Sequence, residues 1–187
     1  MPERLPSVMA RKTPQGPQRR DSAGAVIKAG DDRRVRFLAS SAAVDRHGTI
    51  VVPEGIRTAN YDANPIFVWA HQTGGWQRCE VEDVLGRVVA HEVTARGFEI
   101  EVEFATSDVN PKAERAYRAV QAGILGAVSI GFMPLKVHWE EREGGEILVH
   151  DEVDLMEVSL VIVGSNPEAQ ALRAIFGPPN AAPRKEK

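Results

Sequence analysis

The sequence predicts an α+β fold, built as a curved or closed antiparallel β-barrel with a few helices packed around it. Three observations lead to this prediction. Apolar segments of strand character dominate the middle of the chain, one segment alone has strong helical periodicity, and polar, glycine-containing turns separate neighbouring strand segments. A sheet with so few helices to cover it buries its apolar face best by curling on itself.

Six segments are predicted to be strands because each is rich in β-branched and aromatic residues and is bounded by turn residues. In chain order they are RRVRFLAS, IFVWAH, VLGRVVAHEV, GFEIEVEFA, AVSIGFMPLKVHW and EILVHDEVDLMEVSLVIV. The third and fourth are joined through TARG, which predicts a hairpin, and the last two flank the polar turn EEREGGE. The alternation of apolar residues thus predicts a strand-rich core.

One good helix is predicted between the fourth and fifth strands. Asn110 can cap it, Pro111 suits its first turn, and Gly123 follows its end. Apolar residues recur between them at helical spacing, namely Ala113, Ala116, Tyr117 and Val120. A second, short helix is predicted over PEAQALRAIF, at the end of the core.

The two ends of the chain lack a hydrophobic period. Residues 1–30 are rich in Pro, Arg, Gln, Ser and Gly, and residues 177–187 contain GPP and RKEK. Such segments bury too little apolar surface to offset the entropy lost on ordering. The sequence therefore predicts a mobile basic leader over residues 1–30, one folded domain over residues 31–176 and a mobile tail over residues 177–187.

Composition argues against several classes of function. The net charge is −3, although the first 20 residues carry five basic side chains against the single acidic Glu3. These basic residues are Arg4, Arg11, Lys12, Arg19 and Arg20. The folded part has no basic surplus to neutralise phosphates, so nucleic-acid binding is not expected as the main task. Cys79 is the only cysteine, which excludes an internal disulfide and a cysteine-based zinc site. No apolar run approaches the ~20 residues of a membrane-spanning helix, so a soluble protein without membrane contact is expected.

Ser129 lies in a strand segment where side chains alternate between faces. Its neighbours on the same face are Ala127 and Gly131, and these small residues leave room for a ligand or another chain beside the hydroxyl. The opposite face is apolar and consists of Val128, Ile130 and Phe132. Ser129 is therefore either a nucleophile with an open approach or a small residue at a close packing contact.

His71 and Glu157 are the two residues that favour the first interpretation. His71 ends an apolar strand at a glycine-containing loop, where an imidazole can act as a general base. Glu157 interrupts an otherwise apolar strand, and a buried carboxylate costs several kcal/mol unless a partner compensates it. A histidine that becomes charged during catalysis would be such a partner; a structural ion pair with Arg36 or Arg87 is the alternative.

Two further histidines, His138 and His150, lie on either side of the turn near Gly144 and can face each other across a hairpin. With a third ligand they would form a metal site, as in a metal-dependent hydrolase. The segment HEVTA lacks the last histidine of the HExxH pattern. No metal or other cofactor is therefore expected.

Four segments, in order along the chain, carry a family resemblance. They are FLASSAAVDRHGTIVVPEGI, NPIFVWAHQ, AGILGAVSIGFMP and LMEVSLVIVGSNPEA. Between about Phe37 and Ala174 the chain resembles the prohead proteases of tailed phages, which are related to the herpesvirus assemblins. The resemblance implies a herpesvirus-protease-like barrel and a serine endopeptidase that acts in the host cytoplasm, inside the assembling prohead.

The same resemblance implies roles for individual residues. Ser129 would be the nucleophile, His71 its general base and Glu157 the third member of the triad. In the herpesvirus relatives the third member is a second histidine, so His138 and His150 stay open as alternatives. Ala127 and Gly131 are expected to let an extended substrate approach and add a strand to the sheet.

Implied substrates are the major capsid protein and the scaffold protein, together with this chain itself. Self-cleavage is expected within residues 1–30 or after about Phe176, because proteolysis concentrates in mobile ends. Self-association is left open. The alternative from another class is a non-catalytic capsid-assembly or scaffold-binding protein on the same fold.

Overall fold

The computed structural model describes residues 33–74 and 78–172. It contains eight strands, one α-helix and three short 3₁₀ helices in these ranges. The strands are β1 (Arg34–Ser40), β2 (Thr49–Val51), β3 (Ile56–Arg57), β4 (Ile66–Trp69), β5 (Val84–Thr94), β6 (Gly97–Phe104), β7 (Ala127–Arg142) and β8 (Gly145–Val161). The α-helix is α1 (Pro111–Gln121), and the 3₁₀ helices are Pro53–Gly55, Tyr61–Ala63 and Val81–Asp83. The predicted leader, residues 1–30, and tail, residues 177–187, lie outside the described residues.

All eight strands form one sheet in the order β1-β6-β5-β4-β8-β2, with β3 and β7 also paired to β8. The sheet curls strongly into a half-barrel. Strand β8 is the longest, and it pairs in succession with β2, β3 and β4 along one side and with β7 along the other. The predicted curved, strand-rich architecture is therefore confirmed.

The prediction of an antiparallel sheet is wrong for part of it. Strands β2, β3 and β4 all run parallel to β8, so the sheet is mixed. Parallel neighbours need a long crossover, and here most of the folded chain lies between β4 and β8. Apolar alternation looks the same in either strand direction, which is why the sequence pattern did not show it.

The local predictions of hairpins and of the first helix are confirmed. Strands β5 and β6 form a hairpin in which Thr94 pairs with Gly97, and β7 and β8 form a second hairpin. The Asn110 side chain caps α1 by accepting from the main-chain N–H groups of Lys112 and Ala113, at 2.8 and 3.1 Å. Its amide also donates to the main-chain oxygens of Glu82 and Val84, which ties the start of the helix to the start of β5.

The core fills the inside of the curl. Phe67 on β4 contacts Phe37 and Phe104, with ring centroids 5.7 and 5.5 Å apart. Helix α1 adds its buried Ala113, Ala116 and Val120 to the same cluster. No described helix is long and apolar enough to cross a bilayer.

The second predicted helix is wrong over residues 167–172, and its remaining residues, 173–176, lie outside the described part of the chain. Residues 169–172, here called the closing segment, are extended and lie between β1 and β7. Four main-chain hydrogen bonds of 2.7–3.0 Å hold this segment, two from each side. The free edges of β1 and β7 satisfy its backbone, so tertiary pairing overrides the local helical tendency.

Candidate functional site

A groove of about 700 Å³ opens on the outer face of the curled sheet. Its floor includes Ser129, Gly131 and His150, and His71 stands at its side. The segments that follow β1 and β8 form its walls. Three of the residues singled out from the sequence thus share one groove with Ser129.

Ser129 reaches this groove because of the β7–β8 register. Ser129 pairs with Ser159, and Gly131 pairs with Glu157. Cross-strand partners point to the same face of a sheet, so these four residues share the outer face. Their neighbours Val128 and Val158 are fully buried on the core face, as the alternation along β7 predicted.

His71 is presented by an unusual turn at the end of β4. Ala70 and His71 adopt left-handed backbone conformations, with φ of 49° and 60°. Such conformations cost non-glycine residues on the order of 1–3 kcal/mol and persist only where surrounding contacts hold them. Here the Ala70 N–H donates to the Leu160 oxygen and the His71 N–H donates to the Ser159 Oγ, both at 3.0 Å.

Glu157 is buried beside that turn, with 5% of its surface exposed. Its Oε1 lies 2.5 Å from the His71 Nδ1, and its Oε2 accepts a hydrogen bond of 2.5 Å from the Ser159 hydroxyl. Gly131 faces it from β7, and a Cβ at that position would overlap the Glu157 Oε1. Both carboxylate oxygens therefore have a partner, and the glycine opposite makes room for the group.

The two arginines considered as partners of Glu157 bind elsewhere. Arg36 pairs with Glu92 and Glu99, and Arg87 pairs with Glu103. The buried carboxylate is thus compensated by the imidazole and not by a guanidinium.

The contact between His71 and Glu157 determines the electrostatics of the site. The hydrogen bond from His71 to Glu157 raises the pKa of the His71 imidazole; burial opposes the rise, and the negative charge of Glu157 adds to it. Tyr61 is another group that responds to this carboxylate. Burial and then the charge of Glu157 raise the pKa of the Tyr61 phenol, which stays protonated and donates to the Ile66 oxygen at 2.8 Å.

The hydroxyl of Ser129 and the imidazole of His71 line one groove without a hydrogen bond between them. In the described residues, the Nδ1 of His71 is occupied by Glu157, whereas its Nε2 has no hydrogen-bond partner. An imidazole held at Nδ1 in this way has Nε2 available for proton transfer. Catalytic serine–histidine contacts are often long without substrate and tighten when it binds.

Within the described residues, neither of the two alternative histidines forms a hydrogen bond with His71 or Glu157. His138 lies on the exposed outer part of the β7–β8 hairpin, where its Nδ1 contacts Asp151 at 2.8 Å. His150 is buried in the groove floor, with its ring edge-on to Phe132 at 5.2 Å and with no partner for its Nδ1 in the described residues. The two occupy neighbouring positions in the hairpin register, but no cluster of metal-ligating residues forms in residues 33–74 and 78–172.

Two residues expected to make room for substrate have other neighbours. Ala127 forms a bridge with Gln170 of the closing segment and does not line the groove. Gly131 does line the groove, but the space above it is filled by the Glu157 carboxylate. Its lack of a side chain therefore accommodates Glu157.

Ser159 is the residue of this site that the sequence argument missed. It is fully buried and contacts both His71 and Glu157. The signal was present in the sequence, because a residue two positions from Glu157 in a strand shares its face.

Comparison with known proteins gives a family. No curated protein matches the chain. The family model of the caudovirus prohead serine proteases matches residues 43–176, which include His71, Ser129 and Glu157 and all of β2 to β8. On this match, the chain belongs to the caudovirus prohead serine protease family.

Proposed function

We propose that this chain is a serine endopeptidase in which Ser129 is the nucleophile, His71 the general base and Glu157 the residue that orients the base and stabilises its charged form. Membership of a serine protease family supports the reaction class. The observation that carries the residue assignment is the His71–Glu157 contact of 2.5 Å at the edge of the groove that contains Ser129.

The reaction proceeds by acyl transfer. The Ser129 Oγ attacks the carbonyl carbon of a peptide bond while the His71 Nε2 takes its proton. The C–N bond then breaks, and His71 returns the proton to the leaving amine. A water molecule, deprotonated by His71, attacks the resulting ester, and the Ser129 hydroxyl is restored as the new carboxylic acid leaves.

Glu157 acts on this cycle through the imidazole. Its Oε1 fixes the proton on the Nδ1, so that the Nε2 carries the lone pair that Ser129 needs. When the imidazole becomes charged, the carboxylate stabilises it, in agreement with the raised pKa of His71.

Substrate is proposed to bind as an extended strand along the outer edge of β7. The closing segment covers that edge at Ala127 and Val128, and Val128 N–H donates outward to the Ala169 oxygen. Ile130 is two residues further along β7, so its main-chain N–H and C=O groups also point to this outer edge, next to Ser129. A peptide added there would place a carbonyl near the hydroxyl of Ser129.

The family supports capsid-related substrates in general. We extend the proposal to the major capsid protein and the scaffold protein, cleaved inside the assembling prohead, and to self-cleavage within residues 1–30 or after about Phe176. We also propose that the fold is like that of the herpesvirus proteases and that the chain associates with itself.

Co-expression with the capsid and scaffold proteins of the same phage tests the assignment. Fragments are followed by intact-mass spectrometry for the wild type and for Ser129→Ala. Complete loss of processing and of self-trimming in a folded Ser129→Ala protein is expected. Unchanged processing would instead make Ser129 a packing residue and would favour a non-catalytic assembly protein on this fold.

A further inference from the structure

We propose that Ser159 is a positioning residue of this site, whose hydroxyl holds the Glu157 carboxylate and the His71 main chain in one arrangement. The inference rests on the proposed roles of His71 and Glu157. Ser159 is fully buried near the end of β8 and does not line the groove, so it touches neither substrate nor the reacting atoms.

The hydroxyl of Ser159 serves two partners at once. It donates to the Glu157 Oε2 at 2.5 Å and accepts the His71 N–H at 3.0 Å. One hydrogen and one lone pair are thus both used. The hydroxyl therefore links the two residues whose side chains also meet directly.

The first effect concerns the orientation of the carboxylate. In the described part of the chain, its hydrogen-bond donors are the His71 imidazole on Oε1 and the Ser159 hydroxyl on Oε2. A carboxylate with a single donor can turn about its last torsion, which is broad. With Ser159 present, Oε1 is kept toward His71.

The second effect concerns the backbone of His71. This residue and Ala70 are both left-handed, and the main-chain N–H of His71 has Ser159 as its partner. Without the hydroxyl, this strained turn loses one of the bonds that hold it. The backbone of the turn is then held less firmly, and the imidazole is less firmly positioned at the groove edge.

The register of the sheet explains why Ser159 can contact both Glu157 and the main chain of His71. It is the cross-strand partner of Ser129 on β7 and of Val68 on β4. It thus lies between the strand that carries the nucleophile and the strand that presents the base.

The test compares Ser159→Ala with a matched control elsewhere in the sheet. Thr94 also has a hydroxyl that donates to a buried carboxylate, that of Glu99 at 2.7 Å, and accepts a main-chain N–H, that of Arg96. Thr94→Val removes these two bonds, and a longer one of 3.4 Å to the Gly97 oxygen, at a residue that does not line the groove, so it reports the purely structural cost.

One readout does not depend on activity. In an inactive Ser129→Ala background, the proton NMR signal of the His71 Nδ1–H is expected far downfield because of its short hydrogen bond. Adding Ser159→Ala should move this signal upfield and bring the pKa of His71 closer to its ordinary value. Adding Thr94→Val should change neither, and Ser159→Thr, which keeps the hydroxyl, should retain the downfield signal.

The kinetic readout uses a peptide that spans a cleavage site identified in the co-expression experiment. Ser159→Ala should lower kcat about 10–100-fold, the range expected when a charged group loses one hydrogen bond, with KM little changed. The inference is wrong if kcat and the NMR signal both stay at wild-type values, or if Thr94→Val lowers kcat equally. Continued processing by Ser129→Ala would overturn the proposed function instead, whatever the NMR signal shows.

Discussion

The imidazole of His71 and the carboxylate of Glu157 meet at 2.5 Å although 86 positions separate them in the chain. The contact exists because β4 runs parallel to β8, so that the turn after Trp69 arrives beside the outer face of β8. Of the two groups, Glu157 is buried whereas 41% of the His71 side chain is exposed. The pair therefore spans from the interior to the groove.

Glu157→Gln should weaken catalysis while leaving the fold in place. An amide keeps the shape of the side chain but not its charge, and it can present its donor to Nδ1 and favour the wrong tautomer of His71. A fall in kcat on the order of 10³–10⁴-fold is expected, as for other triads that lose this carboxylate. Steady-state kinetics on a cleavage-site peptide measures it; a decrease of less than tenfold would argue that Glu157 is structural.

The pH profile of that variant gives a second test. The bond to Glu157 is the leading cause of the raised pKa of His71, and burial opposes it. Glu157→Gln should therefore lower this pKa. Since the neutral imidazole is the base, the rising acid limb of kcat/KM should move to lower pH than in the wild type. A limb that moves to higher pH, or stays in place, would contradict the assignment of His71 as the titrating base.

Stability should depend on pH through the same pair. The pKa of His71 is raised in the folded state above the value of 6.5 for the free group. Its stabilising contribution is thus complete below about pH 6.5 and is lost as the pH rises through the folded-state pKa. In a Ser129→Ala background, His71→Gln should therefore reduce the free energy of unfolding more at about pH 5.5 than at about pH 8.5.

Urea denaturation at the two pH values measures this difference. Glu157→Gln provides the control background, since without the carboxylate the effect of His71→Gln should be nearly independent of pH over this range. A pH dependence that persists in that background would assign it to another group.

Gly131→Ala should disturb the site through Glu157. The added Cβ would overlap the carboxylate Oε1, so Glu157 has to move. We expect a loss of about 1–3 kcal/mol in the free energy of unfolding, typical of overpacking, and a fall in kcat with little change in KM. Gly126→Ala is the matched control, because its Cβ would meet only the Ala171 side chain, at an ordinary 3.8 Å. A rise in KM alone would support the original expectation that Gly131 makes room for substrate.

Asn110→Ala should destabilise the protein without altering the groove. The side chain caps α1 and donates to two main-chain oxygens, those of Glu82 and Val84, at the start of β5. Loss of the cap alone costs about 1 kcal/mol, and the two carbonyl oxygens lose their donors as well. Urea denaturation should place Asn110→Ser, which retains a cap, between the wild type and Asn110→Ala. Equal stability of the two variants would show that the amide bonds dominate.

The elements that have local sequence signals could be predicted from the sequence. The main strands and the Asn110-capped helix follow from periodicity and capping, and Glu157 stood out because a carboxylate interrupts an apolar strand. Strand direction carries no such signal, so the parallel pairing of β4 with β8 was missed. Residues 167–172 were predicted as a helix because their partners, the edges of β1 and β7, are distant in sequence.

The candidate site shows the same limit. His71, Ser129 and Glu157 could be identified from the sequence as candidate site residues. The left-handed turn at Ala70 and His71 could not, because neither position is a glycine, the usual sequence signal of such a conformation. The packing of the Glu157 carboxylate over Gly131 also depends on β-register, which single-strand patterns do not specify.

The pairing of the closing segment with β1 and β7 requires a fixed length, more than a particular composition, of the loop that precedes it. Residues 162–168 connect β8 to that segment, in which Ala169 is buried and Gln170 is exposed. Strand side chains alternate with a period of two, so deleting one loop residue would turn the glutamine inward and the alanine outward. The same slip would shift the bond from Val128 N–H, one position before Ser129. Substitutions in this loop should be tolerated far better than single-residue insertions or deletions, which would misplace the strand that carries the nucleophile.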